Sequence, residues 1–332
     1  MKISSEILDT VSSTIERYML IEPGEAVMIA FSGGKDSVGL TLCLSELGYA
    51  VHPIAIDMGY EDDWSSRIRA LGKSMNFDVE IVNVRSAKSV PAPPAEYSKI
   101  KLRLDVLNSM GTDSRSGATP CTHCYNSKVI ALDNAIRRHG VSKVAFGHHM
   151  TDACASLVKE CLFRVDRVDR GHLNYSKANF ESLVMELSEE AINYPAVPRP
   201  LTDRITELVC NNGSGTDEPP RQPLRTDREG TEIIRPLFGV WEECLTRLSE
   251  ERAIRPEGSG CGHGATIGTQ TPREMVHYRV LRNATPAFRK HLATLASVGL
   301  TETGHARMRS RYRRMDDLGP QYKSQLPMSD KL

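Results

Sequence analysis

Residues 26–37 read "AVMIAFSGGKDS". The first half, Ala26 to Phe31, is a short apolar run preceded by the turn pair Pro23-Gly24, which is the pattern of a buried strand. Behind it Leu40, Leu44 and Leu47 recur at helical spacing in a stretch that ends near Gly48. Gly33 and Gly34 therefore fall at a strand-to-helix junction. There, free backbone N–H groups and the positive helix end hold anions, and glycine lets the backbone approach a phosphate. Lys35 and the hydroxyls of Ser32 and Ser37 favour the same ligand; without them, a Gly-Gly pair reads as an ordinary turn. The spacing is not that of a Walker A loop, and G-x-G-x-x-G is absent.

Outward from this junction the pattern alternates. Strand-like runs at "AVMIAF", "VHPIAID", "VEIVNV" and "KVAFGHH" are separated by segments of helical length. This predicts an α/β fold: a parallel, doubly wound sheet with helices on both faces. Ligands of such sheets lie beyond the carboxyl ends of the strands, so Ser32 to Ser37, Asp57 and Gly147 to His149 share one rim. Asp57 has two readings there, as a contact for the nucleoside or as the cap of the next helix. His148 and His149 likewise either contact a ribose or base or are satisfied internally. Ile3, Ile7, Val11 and Ile15 mark an amphipathic N-terminal helix within residues 1–24. The phosphate-loop domain follows over 25–163. Residues 164–230 lose the alternation and include the polar, Gly- and Pro-rich "NNGSGTDEPPRQPLRTDREG", which predicts an irregular insertion. Order resumes over 231–332, first at "TEIIRPLFGVWEECLTRLSEE" and then in a helical C-terminal extension.

The 332 residues carry 42 basic and 42 acidic side chains, so any nucleic-acid contact must come from a local patch. One candidate exists between 286 and 315, where Arg289, Lys290, Arg307, Arg309, Arg311, Arg313 and Arg314 stand against Glu302 alone. No apolar run has signal-peptide or bilayer-spanning length, which leads us to expect a cytoplasmic protein without a membrane partner. In that compartment eight cysteines argue against a disulfide framework and for a metal or redox site.

Residues 119–128 read "TPCTHCYNSK", in which Cys121 and Cys124 can bind one metal centre or cluster. The best-placed third ligand is Cys261 in "GSGCGHG"; Cys43, Cys154, Cys161 and Cys244 lie in helical patterns as core residues, and Cys210 is open. Three thiolates suit zinc, with His123 or His263 as a fourth ligand, or an iron–sulfur cluster with one iron free. Spacing does not choose between them.

"SGGKDS" resembles the pyrophosphate loop S-G-G-x-D-S of the ATP pyrophosphatase (PP-loop) superfamily, whose members split ATP into AMP and pyrophosphate. With the later C-x-x-C, the "GHH" followed by an aspartate, "IIRPL" and a late cysteine, the chain resembles the tRNA 2-thiolation enzymes of the TtcA/TtuA group over roughly residues 20 to 265. The resemblance implies a Rossmann-like PP-loop fold and a [4Fe–4S] cluster held by Cys121, Cys124 and Cys261. It implies ATP on Ser32, Gly33, Gly34, Lys35, Asp36 and Ser37 with Asp57, Gly147 and His148 nearby, and Mg2+ near Asp36 and Asp152. Lys128 and Asp152 are carried over as catalytic residues. The implied partners are tRNA, a sulfur donor (a cysteine desulfurase, a sulfur carrier or free sulfide) and a second copy of the chain. Two departures stand out: the usual G-H-x-x-D-D-x-x-E-T reads "GHHMTDACAS", so Thr151 and Ala155 replace acids, and the insertion is long. The same loop also serves ligases and amidotransferases acting on another RNA or a small molecule, and a zinc-bound scaffold without turnover is a third reading.

Overall fold

The computed structural model describes residues 4–59, 61–84, 120–141, 143–171, 176–211, 224–226, 232–257 and 271–297. Helix α1 (Ser5–Tyr18) is followed by β1 (Ala26–Ala30), α2 (Lys35–Glu46), β2 (Ala50–Asp57), α3 (Trp64–Ser74) and β3 (Glu80–Asn83). Next come α4 (Pro120–His139), β4 (Lys143–Ala145) and α5 (Met150–Arg164), which runs into a π-helical turn, Val165–Asp169. The chain continues through α6 (Lys177–Asn193), α7 (Pro200–Asn211), β5 (Leu224–Thr226), β6 (Glu232–Ile234) and α8 (Glu242–Glu251). It closes with α9 (Pro272–Met275), continued as a π-helix over Val276–Leu281, and α10 (Pro286–Ala296).

The strands form one sheet in the order β3-β2-β1-β4-β6-β5. All neighbours are parallel except β5, which runs antiparallel to β6 with Leu224 opposite Ile234. Strand β1 pairs with β2 from Ala26↔Ala50 to Ala30↔Ile54, and with β4 at Met28↔Val144. Because both faces are covered, β1 is apolar throughout rather than alternating. Met28, Ile54 and Val144 pack under Ala131, Leu132, Ala135 and Ile136 of α4 on one face, while Val27 and Ile29 meet Leu40 and Leu44 of α2 on the other. The order reverses between β1 and β4. That switch point is where open α/β sheets bind ligands.

The irregular insertion expected over 164–230 is corrected for its first part. The described residues between 165 and 211 are mostly helical, and Phe180, Leu183, Val184, Leu187, Ala191, Leu201 and Ile205 belong to the same buried cluster as α1, α2 and α5. The apolar spacing of α6 builds one face. Helix α7 starts on Pro200, suited to a first helical turn, and its free N–H groups are capped by buried Glu190, which accepts from Leu201 N (2.9 Å) and Thr202 N (2.8 Å). Of the Gly- and Pro-rich stretch at 211–230, only Asn211 and 224–226 fall among the described residues. No helix among the described residues is long and apolar enough to cross a membrane.

Leu187→Ala tests whether this helical layer shares the main core. Leu187 is fully buried in it, so the substitution should lower global stability by about 2–5 kcal/mol in urea unfolding. An unchanged midpoint would mean that α6 is a separable attachment.

Candidate active site

The Gly-rich loop closes on itself before it meets any ligand. Ser32 N–H donates to Ser37 Oγ (3.2 Å), the Ser37 hydroxyl donates to Gly34 O (3.0 Å), and Gly34 N–H donates to Ser32 Oγ (3.4 Å). Gly33 has φ +78°, and a Cβ there would lie 2.3 Å from Ile68 Cδ1. Its carbonyl accepts from Glu257 N–H (2.9 Å), which ties a late segment of the chain to the loop. Gly34 caps α2 with no side-chain cap bond, so donors of the first turn are open to an anion. Gly147, at the end of β4, presses against that turn: a Cβ would lie 2.8 Å from the Asp36 carbonyl carbon and 2.9 Å from Ser37 N.

This contact brings the starts of α2 and α5 together and, with α8, puts three acidic first-turn residues in one place: Asp36, Asp152 and Glu242. A carboxylate in a helix's first turn is favoured by the helix dipole. The charges then alternate from residue to residue. Arg273 donates to Asp152 Oδ1 (2.9 Å); His149 Nε2 lies 3.6 Å from Asp152 Oδ2 and 3.5 Å from Asp36 Oδ1. Lys35 Nζ is 3.0 Å from Asp36 Oδ1 and 2.6 Å from Glu242 Oε1, and Glu242 Oε2 meets His277 Nε2 at 2.5 Å. Burial works against the Lys35 cation, but Asp36 and Glu242 outweigh it and raise its pKa. His277, with Lys35, holds the Glu242 carboxyl down at about 2. His149 is buried, and its Nδ1 has no hydrogen-bond partner among the described residues.

The other expected site residues are placed unevenly. Asp57 ends β2 as predicted, and its carboxylate accepts from Gly59 N–H (2.7 Å) and the Ser65 hydroxyl; the N-cap position of α3 is Asp63, so these bonds do not amount to the capping reading. His148 stacks on Phe146, with ring centroids 5.8 Å apart. Lys128 is half-buried on α4 and makes no ion pair or hydrogen bond among the described residues. Cys121 and Cys124 occupy the first two turns of α4, one turn apart. Cys261 and the arginines at 307–314 lie outside the described residues. Arg289 is half-buried and already engaged within the chain: it donates to Leu281 O (2.9 Å) and Arg282 O (3.2 Å) and pairs with Glu243. Burial pushes the Cys43, Cys154 and Cys161 thiols up to about 12, so they are core residues and not ligands. Glu242, Arg273 and His277 were missed by sequence reasoning; the acid opening a helix after "RPLFGVW" was the only signal.

Thr151, which stands where the resemblance leads one to expect an acid, is also structural. Its Oγ1 accepts from Glu242 N–H (3.2 Å), fastening α8 to α5, while Ala155 is buried in the core. For a divalent cation, Asp36 and Asp152 offer two carboxylates beside the loop. That suits Mg2+, which takes one or two carboxylates and completes its shell with phosphate oxygens and water. No set of three or more metal-ligating residues occurs among the described residues.

Sheet order and loop together define an α/β protein with a parallel, doubly wound sheet and a Gly-rich strand-to-helix loop at its switch point. No protein-family model matches the chain. By sequence it is 29% identical over 147 residues to the tRNA-5-methyluridine(54) 2-sulfurtransferase of Thermus thermophilus, covering 43% of this chain and 40% of that protein. It is 27% identical over 152 residues to the enzyme of the same name from Pyrococcus horikoshii, covering 46% and 44%. The tRNA-cytidine(32) 2-sulfurtransferase of Neisseria gonorrhoeae is 29% identical over 160 residues, covering 47% and 44%. The chain thus spans under half the length of these relatives, and over that stretch it is related to the tRNA 2-thiolation enzymes of the PP-loop superfamily. Among solved structures it is similar to the U34-tRNA thiolase NcsA from Methanococcus maripaludis with its [4Fe–4S] cluster, at 12% identity, TM-score 0.44 and coverage of 99% and 84%.

Two outcomes follow from the site geometry. Gly147→Ala should lower the thermal midpoint sharply because backbone atoms block the new methyl group. Gly34→Ala should not, since its nearest neighbour would be Ser32 Oγ at 3.4 Å. Glu242 contributes stability that is complete above its ordinary pKa of 4.5 and is lost as pH falls through about 2. The difference in urea midpoint between wild type and Glu242→Gln should therefore shrink as pH falls from 4.5 toward 2; a difference unchanged over that range would remove the ion pair as its source.

Proposed function

We propose that the protein is an ATP-dependent tRNA sulfurtransferase that adenylates a nucleobase carbonyl and then replaces its oxygen with sulfur. The observation that carries this reading is the meeting of the Ser32–Ser37 loop with Gly147 and, through His149, with Asp152 at the β1/β4 switch point, in a chain similar over part of its length to tRNA 2-sulfurtransferases. A carbonyl oxygen is a poor leaving group. In the first half-reaction it attacks the α-phosphorus of ATP, the bond to pyrophosphate breaks, and the nucleobase becomes an adenylate. In the second, sulfide attacks the carbon and AMP leaves with the former carbonyl oxygen.

The open N–H groups of the first turn of α2 would hold the phosphates, and Lys35 would offset charge developing on pyrophosphate. Lys35 is pre-positioned by Asp36 and Glu242, so it need not reorganise during the step. Asp36 and Asp152 would hold a divalent cation, which would supply neutralisation of the phosphate charge. Lys128 is assigned to transition-state charge or proton transfer, and His148 to the ribose or base. Cys121, Cys124 and Cys261 would hold a [4Fe–4S] cluster. The buried Cys43, Cys154 and Cys161 thiols, pushed up to about 12, would not compete for such a cluster. When bound, the cluster would supply the chemistry of sulfur delivery. The reading places the enzyme in the cytoplasm, with tRNA, a sulfur donor and a second copy of the chain as partners.

Iron, acid-labile sulfide and zinc in protein purified without oxygen, for wild type and Cys261→Ser, test the reading. About four irons and four sulfides in wild type, degraded in the variant, are expected, together with ATP-dependent thiolation of tRNA. Zinc without iron, or ATP-dependent product formation intact after replacing all three cysteines with serine, would favour a PP-loop ligase or amidotransferase instead.

A further inference from the structure

Two cations border the phosphate loop, and each is held by a carboxylate. They are held differently. Lys35 is gripped from two sides, by Asp36 and by Glu242, whose second oxygen is itself fixed by His277. Arg273 makes one hydrogen bond among the described residues, to Asp152 Oδ1, and its side chain is 37% exposed. Asp152 is the less exposed partner, at 18%. Its second oxygen accepts from His149 N–H (3.3 Å), so the carboxylate is anchored to its own helix while the guanidinium comes from a distant segment.

A carboxylate oxygen bonded to a guanidinium cannot at the same time ligate a divalent cation freely. Entry of a metal–polyphosphate therefore frees Arg273 beside the loop, with at least one donor seeking a new acceptor. A guanidinium matches phosphate better than any other side chain does, because two parallel N–H groups meet two oxygens. The same corner holds His149 Nδ1, a buried polar atom without a partner among the described residues. As a purely structural tie, a half-exposed pair of this kind is worth little, about 0–1 kcal/mol.

We propose that Arg273 is a phosphate-binding residue of the nucleotide site, held by Asp152 while the site is empty and passed to the terminal phosphates of a nucleoside triphosphate when one binds. The proposal rests on the nucleotide reading above. It adds a phosphate contact from the C-terminal third of the chain, which already supplies Glu242 and His277 to the clamp on Lys35.

Calorimetric titration of the full chain with Mg-ATP, pyrophosphate and AMP, for wild type, Arg273→Gln, Arg273→Lys and Asp152→Asn, tests it. Arg273→Gln should weaken ATP and pyrophosphate by about tenfold or more, the loss of one charge-assisted contact, with AMP changed by less than about twofold. Arg273→Lys should keep the fold and recover only part of the affinity, since an ammonium cannot form the fork. Asp152→Asn should tighten pyrophosphate binding without magnesium by releasing Arg273, and adding Arg273→Gln should abolish that gain. Equal ATP and pyrophosphate affinities in wild type and Arg273→Gln, or an equal loss for AMP, would overturn the proposal while leaving the nucleotide reading intact. A wild-type chain that binds neither ATP nor pyrophosphate would overturn both.

Discussion

The close approach of Gly147 to the first turn of α2 is the constraint on which the site depends. Strands β1 and β4 are neighbours with opposite crossovers, so the loops leaving their carboxyl ends must diverge to opposite faces from a common point. A side chain at 147 would prop that point open, because the atoms it would meet belong to backbone and cannot rotate away. With glycine there, the helix starts of α2 and α5 converge, and the polarity of three helix ends favours the acids found in their first turns. Three carboxylates in one place require cations. Lys35 is local to the loop, but Arg273 and His277 arrive from the end of the described chain, so the site exists only once both halves of the protein have folded.

Much of the sheet was legible because strands covered on both faces read as apolar runs, and such runs bounded by turns leave few alternatives. The strand ends then located Ser32 to Ser37 and Gly147 to His149 on one rim. The helices α6 and α7 were harder to see. The spacing of Phe180, Leu183, Val184, Leu187 and Ala191 was present, but it was bordered by Gly- and Pro-rich sequence that dominated the composition of the segment. The antiparallel edge strand β5 is three residues long, too short for any period to register. Glu242, Arg273 and His277 are single charged residues in amphipathic stretches, and nothing local distinguishes them from solvated ones. Their roles come from partners far away in the chain.

Thr151 illustrates the same limit from the other side. As a departure from an acidic pattern it reads as loss of chemistry, whereas in three dimensions its hydroxyl receives the backbone N–H of Glu242 and so orients the residue that holds Lys35. One acid fewer in a crowded cluster also lowers the repulsion that Asp36 and Asp152 would otherwise meet. The two carboxylates that are left are the pair a magnesium ion commonly takes from a protein.

The deep burial of Cys43, Cys154 and Cys161 has a consequence for how the protein ages in air. Thiols held near 12 are protonated at neutral pH, and oxidants and alkylating reagents react with thiolates. Oxidation is thereby directed away from these packed helices and onto exposed sulfurs such as Cys210, so damage in air begins at the surface while the core cysteines stay intact.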